Sequence, residues 1–257
     1  MAAGGDVSKT CGLVDAHCHV DLYSDPAGLL RAIDKAGIHV ITVTNIPSVF
    51  PANAELARPF ERVYVALGLH PELVKSHHAE LSGFERLLHE TRFIGEVGLD
   101  YTTNDKEERA RQREVFGTVL ERCASVGEKV LTIHSRRAAS DVISMVGHGY
   151  PCCTILHWFS GTPKQLSMAA DAGSYFSVNV AMTRSKKGQD LIARMEPEWV
   201  LTESDGPFVR TGQVPEDPSG ITAVIEHLAA AWGETYEYAR AQILTNFKQA
   251  MSGRGRK

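Results

Sequence analysis

The chain has 257 residues, 43% of them apolar and 23% charged, an ordinary globular composition that excludes a largely disordered protein. Its 27 basic and 31 acidic residues leave a formal charge of −4. This excludes the broad cationic surface of a protein that coats nucleic acid non-specifically, while leaving room for a local cationic site.

In chain order, short β-branched runs occur at 13–20, 40–45, 63–70, 94–100, 129–135, 154–160, 175–180 and 199–205. Segments with helical spacing lie between them, for example 26–37, 81–90, 106–127 and 136–149. A strand period that gives way to a helical period eight times predicts βα units and a parallel sheet. Eight such units close a (β/α)8 barrel, which takes roughly 250 residues as one domain. One domain over 1–257 is therefore expected, with the barrel at about 13–250 and flexible ends at 1–12 and 251–257. The turn-rich stretch 211–220 is expected to cap the loop after the eighth strand.

No run of about 18 apolar residues is present, so no membrane span is expected. The opening MAAGGDVSKTCG lacks the apolar centre of a secretory signal. Five cysteines without a CxxC pair read as reduced thiols in a cytoplasmic protein.

Ligand-type side chains gather at the C-terminal ends of these runs. His17 and His19 close the first, His70 the third, His134 the fifth and Asp205 the eighth, while Glu96 and His157 lie within the fourth and sixth. In a βα barrel those ends share one rim, where active sites are built. A lone histidine on a strand is ordinarily a core residue, but five strands converging on one rim form a different pattern. Residues two apart on a strand share a face, so His17 and His19 are expected to point inward together and Cys18 outward into packing. Asp15 and Glu203, one step deeper, are expected to accept N–H groups from the ligands.

Four histidines with Glu96 and Asp205 are too many for one catalytic ion, which takes about three protein ligands. They suit two divalent ions sharing a carboxylate and a hydroxide. We assign His17, His19 and Asp205 to one ion and His134 and His157 to the other, with Glu96 bridging. Four cationic charges against Glu96, Asp205 and one hydroxide leave the pocket cationic, which favours an anionic substrate such as a phosphodiester. Arg136 and Arg137 follow His134 and are expected to form a phosphate fork. His70 is a candidate substrate contact or acid, and Trp158 a candidate platform for a nucleobase. Arg109, Arg111 and Arg113 read as a solvated helix face. The remaining histidines (39, 77, 78, 89, 148 and 227) read as structural or solvated.

The motifs VDAHCHVD, GLHP, GEVGLDY, IHSR, HWFSG and TESDGPF resemble, in order and spacing, the TatD-like metal-dependent hydrolases. The resemblance runs from residue 13 to about 250 and includes TNFKQAM near the C-terminus. It implies an amidohydrolase-type barrel and a metal-dependent deoxyribonuclease acting as a 3′–5′ exonuclease, with DNA as partner and single strands fitting the rim best. The family's ligands carry over to His17, His19, Glu96, His134, His157 and Asp205. The cofactors so implied are two divalent ions, Mg²⁺, Mn²⁺ or Zn²⁺.

Two departures stand out. Glu72 occupies a place where the family often has a second histidine, and HWFSG replaces the commoner HCFSG. The HSRRA, HWFSG and VNVAM segments are similar to the TatD-type nuclease of the Qat anti-phage defence system, which implies partner proteins. Asp205 is expected to orient the nucleophile and take its proton, and Glu96 to serve the same chemistry. Hydrolysis of an amide or ester on the same barrel, and a defence-complex subunit with conditional nuclease activity, stay open as alternatives.

Overall fold

Strands buried on both faces read as near-continuous apolar runs, and parallel sheets covered by helices bury them in that way. In the computed structural model, which describes residues 12–255, each of the eight runs contains a strand. These are β1 (Val14–Cys18), β2 (His39–Val43), β3 (Val63–Ala66), β4 (Phe93–Gly98), β5 (Val130–His134), β6 (Cys153–His157), β7 (Tyr175–Val178) and β8 (Val200–Thr202). Strands β1 to β3 pair in parallel, as do β4 to β8. A parallel bridge between Leu67 and Ile94 joins the two arcs. At the other seam the Asp205 N–H donates to the His17 carbonyl at 2.9 Å. The closed ring is a (β/α)8 barrel.

The outer layer holds α1 (Pro26–Ala36), α2 (Phe50–Ala57), α3 (Val74–His77), α4 (Leu81–Leu87), α5 (Lys106–Val126) and α6 (Ala139–Val146). It continues with α7 (Pro163–Asp171), α8 (Val180–Arg184), α9 (Lys186–Ile192), α10 (Ile221–Trp232) and α11 (Tyr236–Ala250). Local chemistry sets their ends. The Asp25 carboxylate accepts the Gly28 N–H, Pro26 opens α1, and Gly37 stops it at φ 69°. In α5 the Asp105 carboxylate caps the first turn. The face bearing Gln112, Val115, Phe116, Val119, Leu120 and Cys123 is buried, at the three- and four-residue spacing of one helix side. The 211–220 stretch forms a short antiparallel hairpin, β9 (Arg210–Thr211) with β10 (Val214–Pro215). No helix among the described residues is long and apolar enough to cross a membrane. The described cysteines are buried free thiols.

The structure departs from several expectations. Strand β3 ends at Ala66, so His70 lies in the loop beyond it and caps a 3₁₀ turn. Gly68 sits where a Cβ would come within 1.8 Å of the Thr44 carbonyl oxygen, so the chain leaves regular pairing there to pass close to β2. Strand β8 ends at Thr202, three residues before Asp205. Arg109 is not part of a solvated face: its guanidinium donates to the Thr103 and Tyr101 carbonyls at 2.8 and 3.1 Å and lies over the Tyr101 ring at 4.9 Å.

Residues 251–255, expected to be flexible, are held by backbone pairing. The Cys153 N–H donates to Gly253 O, Arg254 bridges to Cys152, and Arg92 donates to Ser252 O. Residues 1–11 and 256–257 lie outside the described residues.

Asn246 fastens the C-terminal helix to the barrel. Fully buried on α11, it donates from Nδ2 to the Pro197 and Val200 carbonyls at 2.7 and 2.8 Å and accepts from Gln242 at 2.8 Å. Asn246→Ala strands buried carbonyls and is expected to cost about 2–3 kcal/mol. The corresponding fall in Tm is roughly 5–10 °C, checked by thermal denaturation, and an unchanged Tm would remove Asn246 from this role.

Candidate metal centre

Five barrel strands deliver their ends to one cavity of about 630 Å³, lined by Glu96, His134, His157, Asp205, His70 and Arg136 among others. His134 and His157 are the last residues of β5 and β6, and His19 is the first residue past β1. Gly98 lets β4 pass against β5 at this level. A Cβ on it would lie 2.1 Å from the His134 carbonyl oxygen, and its φ of 136° is one that side chains rarely adopt. Asp205 adopts φ 46° and Trp158 φ 38°. Non-glycine residues held in the left-handed region at one rim mark over-determined positions of the kind found at functional sites.

Glu96 is the hub. Its Oε2 lies 3.5 Å from His17 Nε2 and 3.3 Å from His19 Nε2. Its Oε1 lies 2.6 Å from His134 Nδ1, 2.8 Å from His157 Nε2 and 3.3 Å from His70 Nε2. Asp205 Oδ1 lies 3.8 and 3.7 Å from the Nε2 atoms of His17 and His19. The six residues singled out from the sequence as ligands thus meet in one volume. All are buried except His134, which is slightly exposed.

The far side of each ring determines what the near side offers. His134 Nε2 meets Asp100 Oδ2 at 2.7 Å, which orients the ring with Nδ1 inward. His17 uses Nδ1 on the Thr132 hydroxyl at 2.7 Å, turning Nε2 inward. His157 Nδ1 faces Glu203 at 3.8 Å. The inward nitrogens then oppose one another, His17 to His19 at 3.3 Å and His134 to His157 at 3.2 Å. Imidazole nitrogens and carboxylate oxygens gathered at such distances are the donor types that divalent cations take, so the donor set fits metal binding. His17–His19–Glu96, His17–His157–Glu203 and His70–Glu96–His134 each bring three ligand atoms within 4.8 Å of one another.

His70 differs from the others. Its Nδ1 accepts the Glu72 N–H at 3.2 Å, so Nε2 carries the proton and His70 presents a donor to the cavity rather than a lone pair. Glu72 thereby sets the tautomer of His70 through its backbone, whatever its side chain does.

Ionisation follows from burial and neighbours. Burial alone would raise Glu96, but His70, His157 and His134 hold its carboxyl well below the usual range. Burial pushes Asp205 well above it, and the carboxylates of Glu203 and Glu96 add to the shift. Burial lowers His17 well below the usual imidazole range, and the neighbouring His157 adds to that. For His157 the sense is opposite, because Glu96 and Glu203 outweigh its burial.

Asp15 does not hold a ligand ring as expected from the sequence. Its Oδ1 accepts the backbone N–H groups of His17 and Ser204 at 3.1 and 3.0 Å, so it braces the β1–β8 seam. Glu203 accepts from Asn179 Nδ2 and the Trp158 N–H at 2.8 and 3.0 Å and from the Ser177 hydroxyl.

Asp100 and Thr132 hold the rings of the candidate ligands His134 and His17 and were not singled out from the sequence. A carboxylate beside a strand end in GEVGLD was the available signal for Asp100; nothing in the sequence distinguishes Thr132. Phe208 also went unseen. It is 59% exposed and packs edge-on against His19, with ring centroids 4.9 Å apart, at the cavity wall. Arg136 lines the same cavity, but Arg137 does not, so the two do not form one fork.

Burial would raise the Asp100 carboxyl, but hydrogen bonds from His134 and Thr102 hold it down to about 2. Asp100→Ala frees His134 to rotate and exchange tautomers, and metal affinity is expected to fall about 10–100-fold. Chelator competition checks this, with a Tm measurement as control for folding. Unchanged affinity would show that the contact does not orient the ligand.

The sequence pattern of the TatD related DNase family matches residues 14–252. The uncharacterized metal-dependent hydrolase YjjV of Escherichia coli K12 is 28% identical over 210 residues, spanning 77% of this chain and 80% of its own. Deoxyribonuclease TATDN3 of Homo sapiens is 26% identical over 246 residues, spanning 88% and 89%. The crystal structure of YjjV superposes with a TM-score of 0.82 at 23% identity, covering 94% of this chain and 98% of that one. A variant of organophosphorus hydrolase from Deinococcus radiodurans superposes at 0.56 with 12% identity over 95% of this chain and 94% of its own, a likeness of fold alone.

Proposed function

The chain belongs to the TatD related DNase family of metal-dependent hydrolases, and from that premise we propose that it hydrolyses phosphodiester bonds at the 3′ end of single-stranded DNA with two divalent cations, Mg²⁺, Mn²⁺ or Zn²⁺. The observation that carries this reading is the division of the Glu96 carboxylate. One oxygen serves His17 and His19, and the other serves His134 and His157. On this reading His17, His19 and Asp205 would hold one ion and His134 and His157 the other, with Glu96 available to both. Cations in such a site act as Lewis acids on a phosphoryl oxygen and make water acidic enough to supply a nucleophile at neutral pH.

The protein's own groups do the rest. Asp205, beside the His17–His19 pair, orients the attacking water and accepts its proton. His70 donates from Nε2 to a phosphoryl oxygen as charge builds there. Arg136, on the cavity wall, adds a planar pair of donors for the same group. Trp158, 37% exposed at the rim, offers a face on which a base stacks. A cavity fed from one rim suits a free strand end better than a continuous duplex. The similarity of HSRRA, HWFSG and VNVAM to a defence nuclease supports a cytoplasmic role in anti-phage defence or DNA processing, with other proteins of such a system as partners.

His134→Ala removes an inward-facing nitrogen from the candidate donor set. It is expected to abolish Mg²⁺- or Mn²⁺-dependent degradation of single-stranded DNA while leaving the circular dichroism spectrum unchanged. Assays on 3′-blocked and 5′-blocked strands read polarity, and only the 3′ block is expected to protect. Full activity in the variant would refute the site.

A further inference from the structure

The rim carries a second cavity of about 270 Å³ beside the first. The two are continuous at their edge, because Ser135 and Ser160 line both. Consecutive arginines divide between them. Arg136 lines the catalytic cavity and Arg137 the second. The backbone explains the division: Arg137 takes φ 55°, a left-handed conformation that turns its side chain away from its neighbour's and is uncommon for a residue of this size.

Charge in the second cavity is one-sided. Its carboxylate, Asp141, is already engaged by Arg113 and by the Tyr101 hydroxyl, each at 2.7 Å. Among the described residues no carboxylate pairs with Arg137 or with Lys187, the other cation on the wall. Lys187 is fixed by donating to the Ser160 carbonyl, at the lip between the cavities. The first turn of α6 also lines this cavity, without a side-chain cap. A positively charged hollow one residue away from the group that meets the scissile phosphate fits an anion tethered to that phosphate.

We propose that the second cavity binds the neighbouring phosphodiester of the same nucleic-acid strand, with Arg137 as its principal contact and Lys187 as its second. The proposal rests on the phosphodiesterase reading above. It makes the enzyme select for strands rather than for isolated phosphodiesters, and Arg137 is a positioning residue that does not touch the reacting atoms.

The test compares a dinucleotide of thymidine, which has one phosphodiester, with the trinucleotide, which has two. The unmodified enzyme is expected to prefer the trinucleotide. Arg137→Gln is expected to raise KM for the trinucleotide about tenfold, the loss of one charge-assisted contact, leaving kcat and the dinucleotide's KM unchanged. Lys187→Gln should shift the same KM in the same direction. Equal losses on both substrates, or no change on either, would overturn the subsite.

A binding arm is independent of turnover. With metal-stripped protein and a fluorescent oligothymidylate, the slope of log affinity against log salt should be smaller by about 0.7 in Arg137→Gln, the value for one phosphate contact on a single strand. Equal slopes would overturn the proposal. If the unmodified enzyme cleaves neither nucleotide, the phosphodiesterase reading fails, and the slope still decides whether the cavity holds a phosphate.

Discussion

The arrangement of the barrel's rim depends on one buried carboxylate facing five imidazoles. A buried carboxylate is tolerated only where opposite charge or hydrogen bonds compensate its lost hydration. Glu96 is compensated from both sides, by His17 and His19 at one oxygen and by His134, His157 and His70 at the other. The outer nitrogens of His17 and His134 are committed to Thr132 and Asp100, which orients both rings with their other nitrogen toward the centre. Nitrogens and carboxylate oxygens gathered in this way form a donor set that suits divalent cations. The rigid barrel holds the arrangement in place at the β1–β8 seam, through Asp15 and the hydrogen bond from the Asp205 N–H to the His17 carbonyl.

Much of this was legible in the residues before any coordinates. Eight runs of β-branched residues predicted eight strands, because parallel strands buried on both faces need uninterrupted apolar side chains. The convergence of the six candidate ligands followed from one geometric fact, that such a barrel opens all its strand ends on one rim. What escaped the sequence is of a different kind. Thr132 looks like any strand threonine, and its role appears only when the barrel closes and β5 faces β1 across the interior. Asp15 shares a face with His17, yet the seam claims its oxygen for backbone N–H groups. Strand β3 ends early because Gly68 passes close to Thr44, a tertiary constraint with no local signal.

Side-chain direction was the least legible property of all. Two consecutive arginines read naturally as one fork, but the left-handed backbone at Arg137 sends them into different cavities. Phe208, exposed in the loop after β8, meets His19 across the cavity wall although 189 positions separate them in the chain. Arg109 reads as one of three alternating charges on a helix face, and carbonyls of the preceding loop capture it instead. In each case a loop conformation, rather than a period along the chain, decides the contact. The scaffold is thus more readable from sequence than the loop contacts at its rim.

The central claim, that this rim holds a pair of cations about the Glu96 carboxylate, is tested most directly by anomalous diffraction from crystals grown with manganese. Two anomalous peaks roughly 3.5–4 Å apart, one beside His17 and His19 and the other beside His134 and His157, are the expected result. A map with no peak between those imidazoles would contradict the account, as would a single peak far from Glu96.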